Sequence, residues 1–216
     1  MKRGWARLLI IAGSLLAAQS ALAQRDPGRS VRLEGEPSTP EDLRLLQRFA
    51  RCVGQRHPSV AAGLLAADFR SSEYTSGMRR LAQGNSSCVP LGRARFSAIL
   101  FAGGLAEFLL ARQNALADLS SRTAVNPSRP VQARDESELM SICVVQSAQP
   151  QVVAMLMSDA ASPEEGAAFR ALMPQVGACL AAGMNLRLNR PALRAMLALA
   201  SYRLVQHNAV AAAGTS

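Results

Sequence analysis

Four cysteines are the residues of this sequence whose spacing most clearly predicts chemistry. Cys52 and Cys88 are 36 residues apart, and so are Cys143 and Cys179. Thiols can form disulfides, ligate a metal or act as a redox pair. The sequence has no Cys-x-x-Cys motif, and its two histidines are not close to a cysteine in the chain. The pattern therefore favours structural disulfides, and it predicts neither a metal site nor a cofactor.

Carboxylates form a second candidate group, because two neighbouring acids can act as general acid and general base. Asp68 and Glu73 recur 91 residues later as Asp159 and Glu164. Such pairs leave open a hydrolase that acts on the cell envelope. Acids near helix starts also stabilise the helix dipole, and this structural role is the favoured interpretation.

Histidines and serines give no further support to an enzyme. The sequence lacks the Gly-x-Ser-x-Gly motif of a nucleophile elbow. His57 precedes Pro58, where a helix cap or a loop is expected, and His207 lies near the C-terminus. We therefore predict no catalytic residue, and an enzyme is the less favoured class of protein.

Arginines form the third candidate group. Arg44, Arg48 and Arg51 have helical spacing, which places them on one face of a helix. A basic face of this kind can dock on an anionic surface, or it can simply be solvated. The predicted patch consists of Arg44, Arg48, Arg51, Arg56, Arg79 and Arg80.

A tandem repeat explains how these residues are positioned. Shifting the chain by 91 residues superimposes both cysteine pairs, with ten identities over 37 positions. Beyond the second cysteine the shift becomes 94 residues, which aligns Leu105-Ala106-x-Phe108 with Leu199-Ala200-x-Tyr202. The arginines at 44, 48 and 51 correspond to Asp135, Leu139 and Ile142, so the repeated fold does not require a basic face. The repeat also favours one disulfide within each copy, Cys52–Cys88 and Cys143–Cys179.

Each copy is predicted to contain about four helices, because apolar residues recur at spacings of three and four. Thr39 is the expected cap of the first helix, and Pro174 is expected to end the third helix of copy two. Gly103-Gly104 lies within an apolar helix and predicts close helix packing. The helices are predicted to start near Pro40, Pro58, Ser71 and Ser97 in copy one, and near Asp135, Pro150, Ser162 and Pro191 in copy two. No segment alternates with period two over the length of a strand, so the predicted class is all-α.

The N-terminus has the three parts of a secretory signal. Lys2, Arg3 and Arg7 precede an apolar segment, and Ala21-Leu22-Ala23 provides a cleavage site. Cleavage would lower the formal charge from +9 to +6. We predict a periplasmic or secreted protein without a membrane span after cleavage. Its partner would be an anionic envelope component or another exported protein, and not nucleic acid.

The predicted organisation has six parts. They are a signal peptide at 1–23, a flexible lead-in at 24–37, repeat 1 at 38–119, a linker at 120–134, repeat 2 at 135–210 and a disordered tail at 211–216. The favoured function is binding or interaction, and docking through the basic face of repeat 1 is the leading form. The alternatives are the envelope hydrolase and a helical protein that holds a lipid between the Met- and Leu-rich faces of the last helices.

Overall fold

The computed structural model describes residues 29–33, 39–90, 92–181, 183 and 188–213. Within these ranges the chain is mostly helical, as the sequence predicts. The predicted signal peptide and the last three residues of the predicted tail lie outside the described residues. The helices are α1 (Pro40–Arg56), α2 (Pro58–Ala66), α3 (Ser72–Gly84), α4 (Ala98–Arg112), α5 (Leu119–Arg122), α6 (Glu136–Ser147), α7 (Gln149–Met157), α8 (Pro163–Cys179) and α9 (Arg190–Ala213).

Two short strands require a correction to the all-α prediction. β1 (Arg29–Arg32) pairs in parallel with β2 (Gly92–Arg95), and Val31 lies opposite Ala94. Both of these residues are buried. Strands of four residues are too short for a period-two pattern to be recognised in the sequence. The flexible lead-in predicted for residues 24–37 is therefore wrong at β1, which backbone hydrogen bonds hold against β2. We call β1 to α4 the first half of the fold and α6 to α9 the second half.

Polar side chains cap the helices where the sequence predicts helix starts. Thr39 Oγ1 accepts a hydrogen bond from the Asp42 N–H at 3.1 Å, and the Asp42 carboxylate accepts one from the Thr39 N–H at 3.2 Å. Ser71 and Ser162 each accept a hydrogen bond from the N–H three residues further along the chain. These caps satisfy backbone donors that the first turn of a helix leaves unpaired.

Two helices extend beyond their predicted ends. α8 continues through Pro174 and reaches Cys179, so this cysteine lies in the helix and not in a loop. A proline inside a helix removes one backbone hydrogen bond, at a cost of about 3 kcal/mol. The helix nevertheless continues, and Val176, two residues beyond Pro174, is packed in the core with only 1% exposure. α9 includes residues 211–213, which the sequence assigned to a disordered tail.

The predicted linker is bound along its length by side chains of α9. Arg203 donates to the carbonyl oxygen of Gln132 at 2.7 Å, and Asn208 donates to that of Arg122 at 3.0 Å. The first residues of the linker also belong to a helix, α5. The segment that joins the two halves is therefore part of the folded structure.

α4 lies at the centre of the fold, between α1 and α9. A Cβ added at Gly103 would lie 2.5 Å from the Cα of Ala195 in α9, and one at Gly104 would lie 2.6 Å from the Cβ of Ala50 in α1. The Gly103-Gly104 pair permits close packing on both sides, as the sequence predicts. The buried apolar residues of the two halves form one continuous core around this contact.

Candidate functional site

Both predicted disulfides are present in the structure. Cys52 is bonded to Cys88 and Cys143 to Cys179, with Cα–Cα distances of 5.8 and 5.7 Å. All four cysteines of the sequence are therefore paired. For a closed loop of this length, the loss of chain entropy in the unfolded state corresponds to about 4 kcal/mol per bridge.

The four matching carboxylates do not converge on a common site. Glu73 and Glu164 are exposed in the first turns of α3 and α8. Asp159 is also exposed. Asp68 contacts Arg70 at 3.0 Å, and the hydrogen bonds from this residue lower the pKa of Asp68 to about 2. These positions are those of helix-start and surface acids.

The two histidines make local contacts. His57 lies between α1 and α2, and its Nε2 is 3.1 Å from Oδ1 of Asn85. His207 lies in α9, with its Nε2 2.9 Å from the carbonyl oxygen of Arg129 in the linker. Both contacts connect segments that are distant in the sequence.

The predicted arginine patch divides into two parts. Arg44, Arg48 and Arg51 are exposed along the outer face of α1. Glu41 on the same helix contacts two of them, at 3.7 Å for Arg44 and 2.9 Å for Arg48. This face therefore keeps a net positive charge.

The other three arginines of the patch have different surroundings. Arg56, at the end of α1, donates to Ser87 Oγ at 2.6 Å. Arg79 and Arg80 are exposed on α3, and Arg79 also lines a cavity that Arg80 does not reach. Arg79 therefore differs from the other five arginines of the patch, because none of them lines this cavity.

A buried ion-pair network joins the two halves on one side of the α4–α9 contact. Arg194 of α9 donates through Nε and one terminal nitrogen to the two carboxylate oxygens of Glu107 in α4, each at 2.8 Å. Its other terminal nitrogen donates to Glu165 of α8 at 3.0 Å. Arg190 lies 3.0 Å from Glu165, and Gln47 of α1 donates to Glu107 at 3.2 Å.

The side chains of this network are buried, and little empty space is left beside them. The side chain of Arg194 is 6% exposed and that of Glu165 is 2% exposed. Burial acts to lower the pKa of Arg194, but its hydrogen bonds to Glu107 and Glu165 outweigh burial and raise the pKa above its usual value. A space of only about 20 Å³ remains beside these side chains.

A much larger cavity, of about 410 Å³, lies between the two halves on the other side of the α4–α9 contact. Small-molecule pockets typically measure roughly 300–1,000 Å³. The walls come from α3 and α4 of the first half and from α6 and α9 of the second. Most of the lining is apolar, and it includes Leu65, Phe69, Met78, Ile99, Met196 and Leu199.

Charged groups occupy one wall of this cavity. Glu138 of α6 contacts the guanidinium of Arg203 in α9, and its second oxygen accepts a hydrogen bond from the Arg134 N–H at 2.6 Å. The Arg134 guanidinium lies 5.8 Å from the centre of the Phe69 ring, which is within the range of a cation–π contact. The cavity therefore combines an apolar interior with a polar wall.

The two tyrosines of the chain, Tyr74 and Tyr202, both line the cavity. Burial raises the pKa of Tyr74 to about 12, and burial also raises the pKa of Tyr202. Within the described part of the chain, neither hydroxyl has a hydrogen-bond partner. Both hydroxyls stay protonated at neutral pH and can donate a hydrogen bond to a ligand.

Of the residues that line this cavity, the sequence predicts a functional role only for Arg79, as part of the basic patch. A usable signal was present for the tyrosines, because they are the only two in a chain with 4% aromatic residues. At a sequence offset of 91 residues, Tyr74 also aligns with Glu165, so that a neutral hydrogen-bond donor stands where the later segment has an acid. The contacts of Arg134, Glu138 and Arg203 had no comparable signal.

Metal binding and membrane spanning are two further possibilities for the described ranges. No group of three His, Cys, Asp or Glu side chains lies close enough together there to hold a metal ion. In the same ranges no single helix is long and apolar enough to cross a membrane, although α6 and α7 taken together reach that length and composition across a bend of 103°.

The chain was also compared with known proteins. No protein-family model, curated protein or solved structure matches it. The fold and the cavity are therefore the basis for a functional proposal.

Proposed function

We propose that this protein binds a lipid-like small molecule in the cavity between its two halves. The observation that carries the proposal is the cavity itself, with a volume of about 410 Å³ and a mainly apolar lining. Apolar pockets with a few polar groups on one side are typical of sites for small amphipathic ligands. Residues of α4 and α9 contribute to the walls, in agreement with the lipid-binding alternative derived from the sequence.

The hydrolase alternative receives less support. It requires Asp68 and Glu73, or Asp159 and Glu164, to face a common pocket. None of the four lines the cavity, and three of them are exposed at the surface. We therefore favour binding over catalysis.

We also propose that the two halves arose by tandem duplication. The helices α1 to α4 and α6 to α9 follow in the same order, and each half holds a disulfide between cysteines 36 residues apart. Two grooves flank the α4–α9 contact under this proposal. One groove is formed by α1, α4, α8 and α9. The other is formed by their equivalents, which are, in the same order, α6, α9, α3 and α4.

The equivalent grooves have diverged. The first contains the Arg194 network and leaves about 20 Å³, whereas the second is the cavity of about 410 Å³. At the sequence offsets of the repeat, Glu165 corresponds to Tyr74, and Glu107 corresponds to Ser201. Arg194 corresponds to Leu100. Loss of the buried ion pairs from one groove is the change that would open a binding site.

We propose an exported location for this protein. Two disulfides are consistent with an oxidising compartment outside the cytoplasm. Cleavage after Ala23 and a periplasmic or secreted destination remain predictions from the sequence of residues 1–23.

Binding of an uncharged probe tests the cavity proposal. N-phenylnaphthylamine fluoresces strongly in apolar surroundings, and we expect it to bind the oxidised, exported form of the protein. Ile99 lines the cavity and is 41% exposed, so Ile99→Trp introduces an indole ring there without a change to the core. We expect this variant to bind the probe more weakly by roughly tenfold or more.

Val60→Trp is the matched control. Val60 is a β-branched helical residue that is 52% exposed, and it is outside the cavity lining. We expect Val60→Trp to bind the probe as the unmodified protein does, and far-UV circular dichroism verifies that both variants fold. The proposal is wrong if the unmodified protein does not bind the probe, or if Ile99→Trp binds it with unchanged affinity.

Docking on an anionic envelope surface is a second proposed function. Arg44, Arg48 and Arg51 are all exposed on one face of α1, opposite the buried residues of that helix. Glu41 is the acid that contacts this face. A protein that carries lipid-like ligands would benefit from such a face, because attraction to anionic lipids brings it to the membrane surface.

A further inference from the structure

We infer that the cavity selects a single-chain amphiphile with an anionic head group, and that Arg79 binds this head group. The inference rests on the proposed function, because it concerns the same cavity. It names the class of ligand, of which a fatty-acid carboxylate is the simplest member. Three observations within the cavity support it, and a comparison with the groove that holds Arg194 adds a fourth.

The first observation is the balance of charge on the cavity wall. Arg79, Arg134 and Arg203 line the cavity, and the acids that line it are Asp135 and Glu138. The lining of the described residues therefore has one more positive than negative charge. An anionic ligand would neutralise this excess.

The second observation is that both acids are already engaged. The Asp135 carboxylate caps α6, where it accepts a hydrogen bond from the Glu138 N–H at 2.8 Å. Glu138 contacts Arg203 and lies 4.0 Å from a terminal nitrogen of Arg134. Within the described part of the chain, Arg79 has no ion-pair partner, so it is the guanidinium available to a ligand.

The third observation concerns the neutral donors. Tyr74 and Tyr202 line the same cavity as Arg79, and their hydroxyls have no partner among the described residues. Phenol hydroxyls are donors for a carboxylate or phosphate oxygen, and hydrogen bonds to a charged acceptor are roughly twice as strong as those to a neutral one. A head group beside Arg79 and these hydroxyls would leave its alkyl chain in the apolar part of the cavity.

The groove that holds Arg194 supports the same assignment. There, one buried arginine is neutralised by the carboxylates of Glu107 and Glu165. At the equivalent positions the sequence has Ser201, which is buried outside the cavity lining, and Tyr74, which lines the cavity. In the first groove two carboxylates neutralise Arg194, whereas in the second the carboxylates of Asp135 and Glu138 are engaged elsewhere, and Arg79 with the Tyr74 hydroxyl suits an external anion.

Three ligands with the same alkyl chain test this inference. They are laurate, dodecyl phosphate and the uncharged dodecanol, each measured by displacement of N-phenylnaphthylamine from the oxidised, exported protein. We expect at least one of the two anions to bind roughly tenfold or more tightly than the alcohol. The anion that binds more tightly shows whether the cavity prefers a carboxylate head group or a phosphate head group.

A variant at Arg79 tests whether this residue causes the difference in affinity between the anions and the alcohol. Arg79→Gln is expected to weaken binding of the preferred anion by roughly tenfold and to leave dodecanol binding unchanged. Arg80→Gln is the matched control, because Arg80 is the adjacent exposed arginine outside the cavity lining. It should leave the affinity for all three ligands unchanged.

The results separate this inference from the proposed function. Equal affinity for the anions and the alcohol, or an equal loss of both in Arg79→Gln, would overturn the assignment of an anionic ligand while the cavity remained a lipid site. If none of the three ligands displaces the probe and the probe itself does not bind, both proposals are wrong.

Discussion

The buried charges around Arg194 show how single residues hold the two halves together. Arg194 makes a bidentate contact with Glu107 on one neighbouring helix and a further hydrogen bond to Glu165 on another. Removal of charges from water is costly, and a buried ion pair repays this cost only when its hydrogen-bonding groups are satisfied. Glu165 meets this condition, because it also contacts Arg190 and accepts a hydrogen bond from the Ala161 N–H at 2.9 Å.

Loss of one partner from this network should therefore destabilise the protein strongly. We expect Arg194→Met to lower the free energy of unfolding by about 3–5 kcal/mol, because it leaves Glu107 without its ion-pair partner and leaves Glu165 with Arg190 alone. Urea unfolding followed by far-UV circular dichroism measures the loss. Arg48→Met, which breaks an ion pair between side chains 59% and 69% exposed, is the control and should have little effect. Equal stability of the two variants would contradict a stabilising role for the network.

At the scale of helices and strands, the sequence predicts those features that depend on residues close together in the chain. Thr39, Ser71 and Ser162 mark helix starts because a cap depends on residues three positions apart. β1 and β2 were missed because each is four residues long and their pairing joins segments that are distant in the chain. The partners Glu107 and Arg194 are 87 residues apart, so no local pattern could connect them. The cavity was predictable only as an open alternative, since its existence depends on how two halves pack.

The contact between α4 and α9 can be tested through its glycine. A Cβ at Gly103 would lie 2.5 Å from backbone and side-chain atoms of Ala195, and the backbone cannot move away easily. We expect Gly103→Ala to destabilise the protein by about 1–3 kcal/mol. Gly63 is the matched control, because it also lies within a helix and a Cβ there meets nothing within 4 Å. Gly63→Ala should stabilise the protein by up to about 1 kcal/mol. Similar changes in the two urea midpoints would show that close approach at Gly103 is unimportant.

At the scale of the whole molecule, the disulfides connect residues within each half, whereas the hydrophobic core connects the two halves. Each disulfide lies within one half, whereas the buried apolar residues form one cluster that runs through both halves. The polar contacts between α9 and the linker add to this connection. The cavity therefore lies between parts of one continuous core, which favours a preformed binding site. The exposed arginine face of α1 lies on the outer surface of the same fold, where, under the two proposals, it would contact a membrane surface while the cavity held the ligand.

Charge reversal on α1 tests whether this face docks on an anionic surface. Under this proposal the oxidised protein should bind vesicles of phosphatidylglycerol and phosphatidylcholine, as measured by co-sedimentation, and added salt should weaken the binding by screening. Each arginine near an anionic membrane contributes about 1 kcal/mol, so reversal of Arg44, Arg48 and Arg51 to Glu, which also adds repulsion, should weaken binding by more than about a hundredfold. Reversal of three exposed arginines elsewhere, Arg112, Arg129 and Arg170, changes the net charge equally and serves as the control. If both triple variants lose the same affinity, net charge rather than the α1 face determines binding, and the docking proposal is wrong.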